Sequence, residues 1–410
     1  MEYGLIGEKL PHSFSKEIHG YLADYDYQLK ELTPAQLPAF LQARAFKGIN
    51  VTIPYKQAVM PYLDVIDEKA AAIGAVNTIV NRDGKLYGYN TDYDGMVALV
   101  RHAGLSLEGK SVLILGTGGT SRTARAVASD LGASHIYQVS RTAGEGLLSY
   151  EEAAGLPVQI LINTTPVGMY PHPDAQPIDL SRFSWLEGVL DAVYNPLRTQ
   201  LVLQARANRA RAQSGLYMLV AQAAAACELF LGEKLPPQTL DRVYRTLHGE
   251  KQNIVLTGMP GSGKSTVGRI LARQMGREFV DVDTEIIRLA KKPIADIFAQ
   301  KGEAHFRELE SQAIAAIAQR TGLVIATGGG AILREENVRR LRQNGRLYFL
   351  DRPLEDICPS DDRPLSRDAD ALRQRYEERY FRYTVTADTR IPVEGNADAV
   401  AAAIGEEFLI

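Results

Sequence analysis

Ser111-Val112-Leu113-Ile114-Leu115-Gly116-Thr117-Gly118-Gly119-Thr120-Ser121 decides one half of the fold, and Asn253-Ile254-Val255-Leu256-Thr257-Gly258-Met259-Pro260-Gly261-Ser262-Gly263-Lys264-Ser265 decides the other. Each is an apolar run of strand length, a glycine turn and a helix-like segment. That sequence of elements opens a parallel α/β unit. The two turns belong to different classes, so they are not an internal repeat. They read as two nucleotide-binding units in tandem, with a boundary near Gly249 and a linker of only about four or five residues. Ahead of residue 100 lie further strand-like runs at Glu2–Ile6, Tyr27–Glu31, Gly48–Thr52 and Thr78–Asn81. These suffice for a small α/β lobe, which agrees with 410 residues at roughly 150 per domain.

Composition excludes several classes. A net charge of −3 gives no basic excess for nucleic acid or a membrane surface. Two cysteines, Cys227 and Cys358, make no disulfide framework and stand in no metal-ligand spacing. A reducing compartment, the cytoplasm, is expected. The start of the chain has no basic stretch followed by an apolar run, so no signal peptide is predicted. The most apolar stretch, Leu216 to Leu231, is short and broken by Gln222 and Glu228, and is expected to be a buried helix.

In the first turn Gly116 allows the bend, and Gly118 and Gly119 let backbone N–H groups approach a pyrophosphate, with Thr120 beside them. Ser121 is the small third residue that lets helix and strand pack. The next apolar run ends at Ser140-Arg141-Thr142. An NAD-selective turn usually has an acid here for the ribose hydroxyl. Two hydroxyls and a guanidinium suit a 2′-phosphate instead, which favours NADP(H).

Residues 1 to about 248 resemble shikimate dehydrogenase. The resemblance rests on His12-Ser13-Phe14-Ser15, Asn50 to Lys56, Gly74 to Thr78, Gly88 to Asp92, Asn163 to Met169, Asp191 to Pro196 and Gly215 to Gln222, in that order. It implies reduction of 3-dehydroshikimate to shikimate, with Lys56 and Asp92 as the catalytic pair. A ketone reduction needs a proton source at the carbonyl oxygen, and a Lys–Asp pair can hold one. Lys56, after a strand and a proline, is expected at a strand end, and Asp92 at the end of an aromatic run. Ser13 and Ser15, two apart in an extended segment, would face one way and hold the substrate carboxylate. The resemblance gives Thr52, Asn77, Tyr194 and Gln222 to the ring hydroxyls and the cleft, and Gly215 to the nicotinamide pocket.

Gly258 to Ser265 fits the phosphate-loop pattern at every fixed position. Backbone around Gly261, Ser262, Gly263 and Thr266 would cradle phosphates, Lys264 would reach them, and Ser265 would ligate Mg²⁺. A phosphate loop alone does not separate a kinase from other NTPases. Phe279 to Asp283 reads as a strand ending in two acids on one face, and Phe306 to Glu310 follows a helix. Arg379 and Tyr383 lie on a later helix, Arg379 in a charge-rich run that could also be a solvated face. With Gly328 to Gly330 and Arg363-Pro364-Leu365, these segments make residues about 250 to 410 resemble shikimate kinase. That resemblance implies ATP-dependent phosphorylation of shikimate at its 3-hydroxyl. Asp283 would orient the hydroxyl and Asp281 would hold Mg²⁺. Arg307 and Arg379 would clamp the carboxylate, with backbone contacts from Gly329 and Gly330. Arg363, in a lid, would cover the phosphates.

The expected fold class is α/β. A substrate lobe (1–95 and 213–248) adjoins a Rossmann-type NADP lobe (96–212), followed by a P-loop kinase α/β/α domain with a parallel sheet (250–410). The partners implied are small molecules, 3-dehydroshikimate and shikimate, with no nucleic acid and no membrane. The two resemblances name consecutive reactions on the same ring oxygen. Alternatives are an NAD-dependent quinate/shikimate dehydrogenase fused to the kinase, or one half acting as a regulatory binding module without turnover.

Overall fold

The computed structural model describes residues 1–10, 14–142, 144–357 and 369–409. The chain divides into two compact units, Met1–Leu247 and His248–Ile410. In the first unit, β1 (Tyr3–Gly7), β2 (Tyr27–Glu31), β3 (Gly48–Val51), β4 (Val65–Ile66), β5 (Thr78–Arg82) and β6 (Lys85–Tyr89) form one sheet. Its order is β2-β1-β3-β5-β6-β4, with β5 antiparallel to both β3 and β6. Ile6, Ile49, Val51, Ile79 and Leu86 bury one face of it, and Tyr3, Leu5, Tyr27 and Val80 the other.

The second sheet holds β7 (Ser111–Leu115), β8 (His135–Val139), β9 (Ile160–Asn163), β10 (Gly188–Asp191) and β11 (Arg211–Gln213) in the order β11-β10-β9-β7-β8, all parallel. Its central strands β7, β9 and β10 are apolar at consecutive positions because both of their faces are buried. Val112 and Ile114 enter one core, and Leu113 and Leu115 enter another.

In the second unit, β12 (Asn253–Thr257), β13 (Glu278–Asp281), β14 (Leu323–Ala326), β15 (Gly345–Asp351) and β16 (Thr389–Pro392) form a parallel sheet of order β13-β14-β12-β15-β16. Val255, Leu347 and Phe349 face one core, and Ile254, Leu256, Tyr348 and Leu350 the other. The order reverses beside β12, so the crevice at its C-terminal end is where a ligand site is expected, and the phosphate loop follows β12 there.

Two expected boundaries fall inside helices. Residue 95 lies within the helix Thr91–His102, whose Met96 and Leu99 pack with Val112 and Ile114. Gly249 lies within the helix Thr239–Lys251, so the short linker is helical rather than a loop. The bond from Gln252 N to the His248 carbonyl, 2.9 Å, carries that helical pattern one residue past its end. Leu216–Leu231 is a largely buried helix, as its composition predicts. Among the described residues no helix is long and apolar enough to cross a membrane.

Two candidate active sites

The first unit holds a cavity of about 520 Å³ that gathers Ser15, Thr52, Lys56, Asn77, Asp92, Tyr194 and Gln222. Lys56 sits in the turns after β3, and its carbonyl is tied to Val76 N at 2.8 Å. Asp92 is not at the end of a strand run. It is the second residue of the helix Thr91–His102, because Asn90 caps that helix by accepting from Tyr93 N. Lys56 Nζ lies 2.5 Å from Asp92 Oδ2, and Asn77 Nδ2 donates to Oδ1 at 2.9 Å. Asp92 is 4% exposed, so both of its oxygens are held by protein donors away from bulk water.

Asn77 cannot turn its amide round. Its Oδ1 accepts from Thr91 N at 2.7 Å and from the Thr78 hydroxyl at 3.1 Å. The donor end therefore faces the carboxylate. Ser15 starts the helix Ser15–Leu22, and Phe14 before it has φ −77° and ψ −1°. That backbone is helical, so the extended Ser13–Ser15 reading fails at Phe14. Ser13 itself lies outside the described residues.

Beside the cavity, His19 is stacked on Tyr27 at 3.9 Å and reaches the Tyr25 hydroxyl at 2.6 Å. Burial pushes its pKa down to about 3, against an opposing pull from Asn50. The folded chain thus keeps His19 neutral where the unfolded chain protonates it below 6.5. Stability present above pH 6.5 is lost as the pH falls toward 3, at about 1.4 kcal/mol per pH unit. Asp191 works in the opposite sense. Burial pushes it up to about 6, despite hydrogen bonds from Thr199, Val193 and Asn163, so folding is favoured by its protonation between about 6 and 3.8. Comparing urea unfolding of the unmodified chain with His19→Gln isolates the histidine. Between pH 7 and 4.5 the unmodified chain should lose about 2–3 kcal/mol more than the variant. Equal losses would refute the buried neutral histidine.

The glycine turn after β7 is built as its sequence predicts. Gly116 has φ +107°, and a Cβ there would meet the Thr164 hydroxyl at 2.9 Å, so glycine is required. Gly118 caps the helix Gly119–Asp130, which places Gly119 and Thr120 in its first turn. Ser121 faces inward: it is fully buried, donates to the Gly118 carbonyl and accepts from Gln138. It shapes the turn and does not present its hydroxyl to a cofactor. Ser140, Arg141 and Thr142 follow β8, with Arg141 and Thr142 exposed and Thr142 N bonded to the Ser140 hydroxyl at 3.1 Å. Gly215 caps the helix Leu216–Leu231.

The second unit holds a cavity of about 350 Å³ lined by Gly261, Gly263, Lys264, Ser265, Thr266, Asp281, Asp283, Arg307, Gly329, Gly330 and Arg379. Lys264 starts the helix Lys264–Met275, and its ammonium is bonded to the Gly258 and Met259 carbonyls at 2.9 and 2.8 Å. Ser262 is fully buried, so any phosphate contact from it is by backbone. The segment Phe279 to Asp283 is not one strand with two acids on one face. The strand stops at Asp281, whose Oδ1 caps the helix Val282–Ala290 by accepting from Asp283 N at 3.0 Å. Asp283 is in that helix's first turn. The other oxygen of Asp281 accepts from the Ser265 hydroxyl at 2.6 Å. A serine hydroxyl and one carboxylate, with room for water and phosphate oxygens, fit the hard-oxygen preference of Mg²⁺.

The span Ile294–Ala318 is broken at Gly302 (φ +76°, ψ 178°), so Arg307 follows one helical segment and lies in the next. Its guanidinium is bonded to Glu310 at 2.8 Å and Glu303 at 2.9 Å. Burial opposes the Arg307 charge, but the two glutamates more than offset it and hold its pKa above the ordinary value. Glu310 is fully buried; burial pushes its carboxyl up, and Arg307 opposes that push. Sequence reasoning missed Glu310, although its i+3 spacing from Arg307 is a helical contact that reveals it once the helix is known. Arg379 is 7% exposed, so the run Arg373 to Arg382 is not simply a solvated face. Arg363 lies outside the described residues.

The comparisons with known proteins follow the same division. Residues 260–408 match the family model described as shikimate kinase, and residues 5–79 match the shikimate dehydrogenase substrate binding domain. A shikimate dehydrogenase (NADP(+)) of Clostridium perfringens strain SM101 is 38% identical over 264 residues, spanning 60% of this chain and 97% of the relative. The solved chorismate mutase/shikimate 5-dehydrogenase fusion of Clostridium acetobutylicum is 34% identical, with a TM-score of 0.58 over 60% of this chain and 96% of that one. Shikimate 5-dehydrogenase of Thermus thermophilus, solved in complex with NADP(H) and shikimate, is 29% identical, with a TM-score of 0.55 over 60% and 99%.

Proposed function

Because this chain belongs to the shikimate dehydrogenase family in its first unit and continues as a shikimate kinase domain, we propose that the residues gathered in its two cavities carry both reactions. The protein is a shikimate dehydrogenase fused to a shikimate kinase, acting in the shikimate pathway. One unit reduces 3-dehydroshikimate to shikimate, and the other phosphorylates the 3-hydroxyl so formed. NADPH supplies the hydride, and ATP with Mg²⁺ supplies the phosphoryl group.

The Lys56–Asp92 pair is the observation that carries the reductase assignment. An ammonium has three donors, and Asp92 occupies one. A remaining donor faces the cavity and delivers a proton to the oxygen that becomes the 3-hydroxyl. Ser15, with Ser13, holds the carboxylate, and Thr52, Asn77, Tyr194 and Gln222 fix the ring. Gly116, Gly118, Gly119 and Thr120 receive the pyrophosphate at a helix start, and Gly215 lines the nicotinamide side. Arg141, flanked by Ser140 and Thr142, takes the 2′-phosphate. Arg141→Ala should raise the KM for NADPH about tenfold or more and leave that for NADH unchanged. Steady-state rates with each coenzyme check this, and an equal change in both would refute it.

In the kinase unit, Arg307 and Arg379 clamp the carboxylate, and Gly329 and Gly330 add backbone contacts. Asp283 accepts from the 3-hydroxyl and aims it. The loop Gly261 to Thr266 wraps the phosphates, Lys264 and Arg363 stabilise the transferring charge, and Ser265 and Asp281 hold Mg²⁺.

We divide the chain into a substrate lobe, an NADP lobe and a kinase domain as the sequence suggests. The helix Thr91–His102 carries the chain from the first lobe to the second. Cytoplasmic residence accords with the buried free thiol of Cys227. The decisive test is one reaction with 3-dehydroshikimate, NADPH, ATP and Mg²⁺. NADPH loss and ADP formation should both occur, and ADP should not form when NADPH is withheld. ADP formation without NADPH would refute the coupled reading.

A further inference from the structure

Tyr383 lies on the helix Ala369–Thr386, one turn after Arg379, and is completely buried. Its ring lies nearly parallel to Phe349, 5.1 Å away. Its hydroxyl donates to the Gly329 carbonyl, and Arg379 reaches the same carbonyl with one guanidinium nitrogen at 3.3 Å. Burial raises the phenol well above its ordinary pKa, so it remains a donor. One helix therefore grips one carbonyl of the glycine loop twice.

That grip has a consequence on the other side of the peptide. In a planar trans peptide the carbonyl and the following N–H point opposite ways. With the Gly329 carbonyl held by Tyr383, the Gly330 N–H is turned away from the helix, toward the cavity that Gly330 lines. Arg379 gains as well. Its guanidinium lies within hydrogen-bonding reach of the Tyr383 hydroxyl, and its buried Nε makes no hydrogen bond among the described residues. Were Tyr383 absent, the Gly329 carbonyl would depend on Arg379 alone and compete with an incoming anion.

We propose that Tyr383 is a positioning residue for the acidic substrate of the kinase unit. It holds the Gly329–Gly330 peptide with its N–H toward the substrate and spares Arg379 from holding the Gly329 carbonyl alone. This rests on reading the cavity as the shikimate site.

Tyr383→Phe keeps the ring and removes only the donor. In the full-length chain it should raise the KM for shikimate about 5- to 20-fold. The kcat should stay within about twofold and the KM for ATP should not move. Tyr383→4-aminophenylalanine restores an N–H donor at the same place and should bring the shikimate KM back. The amino variant also provides a result should the Phe variant fail to fold. A shikimate KM unchanged in the Phe variant, a parallel rise in the KM for ATP, or no recovery in the amino variant overturns the role. An unmodified chain that forms no ADP with shikimate overturns the substrate reading, and this role with it.

Discussion

Lys56→Ala should lower kcat/KM for 3-dehydroshikimate reduction by about 10³-fold or more, while ADP formation from added shikimate is unchanged. Two losses combine. Removing the proton donor forfeits a contribution of about 10²- to 10⁴-fold. The second loss falls on Asp92, which is nearly buried and keeps only the Asn77 amide once the ammonium is gone. Removing one partner of a nearly buried ion pair leaves the other poorly compensated. The variant therefore lacks both the donor and the cation that fixes the carboxylate. NADPH oxidation and ADP formation are read in parallel on one preparation, so intact phosphorylation reports an intact chain. Reduction within tenfold of the unmodified rate would remove Lys56 from the chemistry.

Gly330→Ala should weaken shikimate binding by the kinase unit about 10²- to 10³-fold, with ATP binding little affected. The reason is where a single methyl would go. A Cβ at Gly330 would lie on the Arg307 guanidinium, overlapping both terminal nitrogens and the carbon between them. That guanidinium cannot retreat without loosening its bonds to Glu310 and Glu303. Truncating one partner of a buried hydrogen-bonded charge pair costs about 2–5 kcal/mol, which is an upper bound for a guanidinium that is only pushed aside. The KM values for shikimate and for ATP in ADP formation, which only the kinase unit catalyses, distinguish the cases. Comparable losses for both ligands would mean general damage. At Gly329 a Cβ would instead stand 2.7 Å from Pro260 of the phosphate loop, so that position is restricted by a different neighbour.

The sequence is most legible where backbone must do something unusual. The glycine turns after β7 and β12, and the both-sided apolar strands that precede them, follow from local rules. Lys56, Asp92, Arg307 and Arg379 were identified by resemblance, and the cavities gather them. What was misread is where a strand gives way to a helix. Asp92, Asp281 and Asp283 looked like strand-end acids because the residues before them alternate or are aromatic. Asn90 and Asp281 instead cap helices, a competition that an aspartate or asparagine settles through its own side-chain bond. Glu310 and His19 were missed for another reason. Glu310 stands in the segment Phe306 to Glu310, but its contact with Arg307 appears only once that segment is helical, and the stacking of His19 on Tyr27 depends on how the helix Ser15–Leu22 packs on β2. Short strands such as Val65–Ile66 exist only through pairing with Lys85–Tyr89, so no local pattern announces them.

The resting position of Lys264 bears on which compounds the phosphate loop will accept. Its ammonium is answered by the Gly258 and Met259 carbonyls, two neutral dipoles of the loop itself. A nucleoside, or any flat uncharged mimic of adenine, offers that ammonium nothing for which to leave those carbonyls. A triphosphate replaces neutral dipoles with full negative charge. The loop thus acts as a filter on ligand charge, and inhibitor series aimed at it will improve with added anionic groups rather than with a larger aromatic surface.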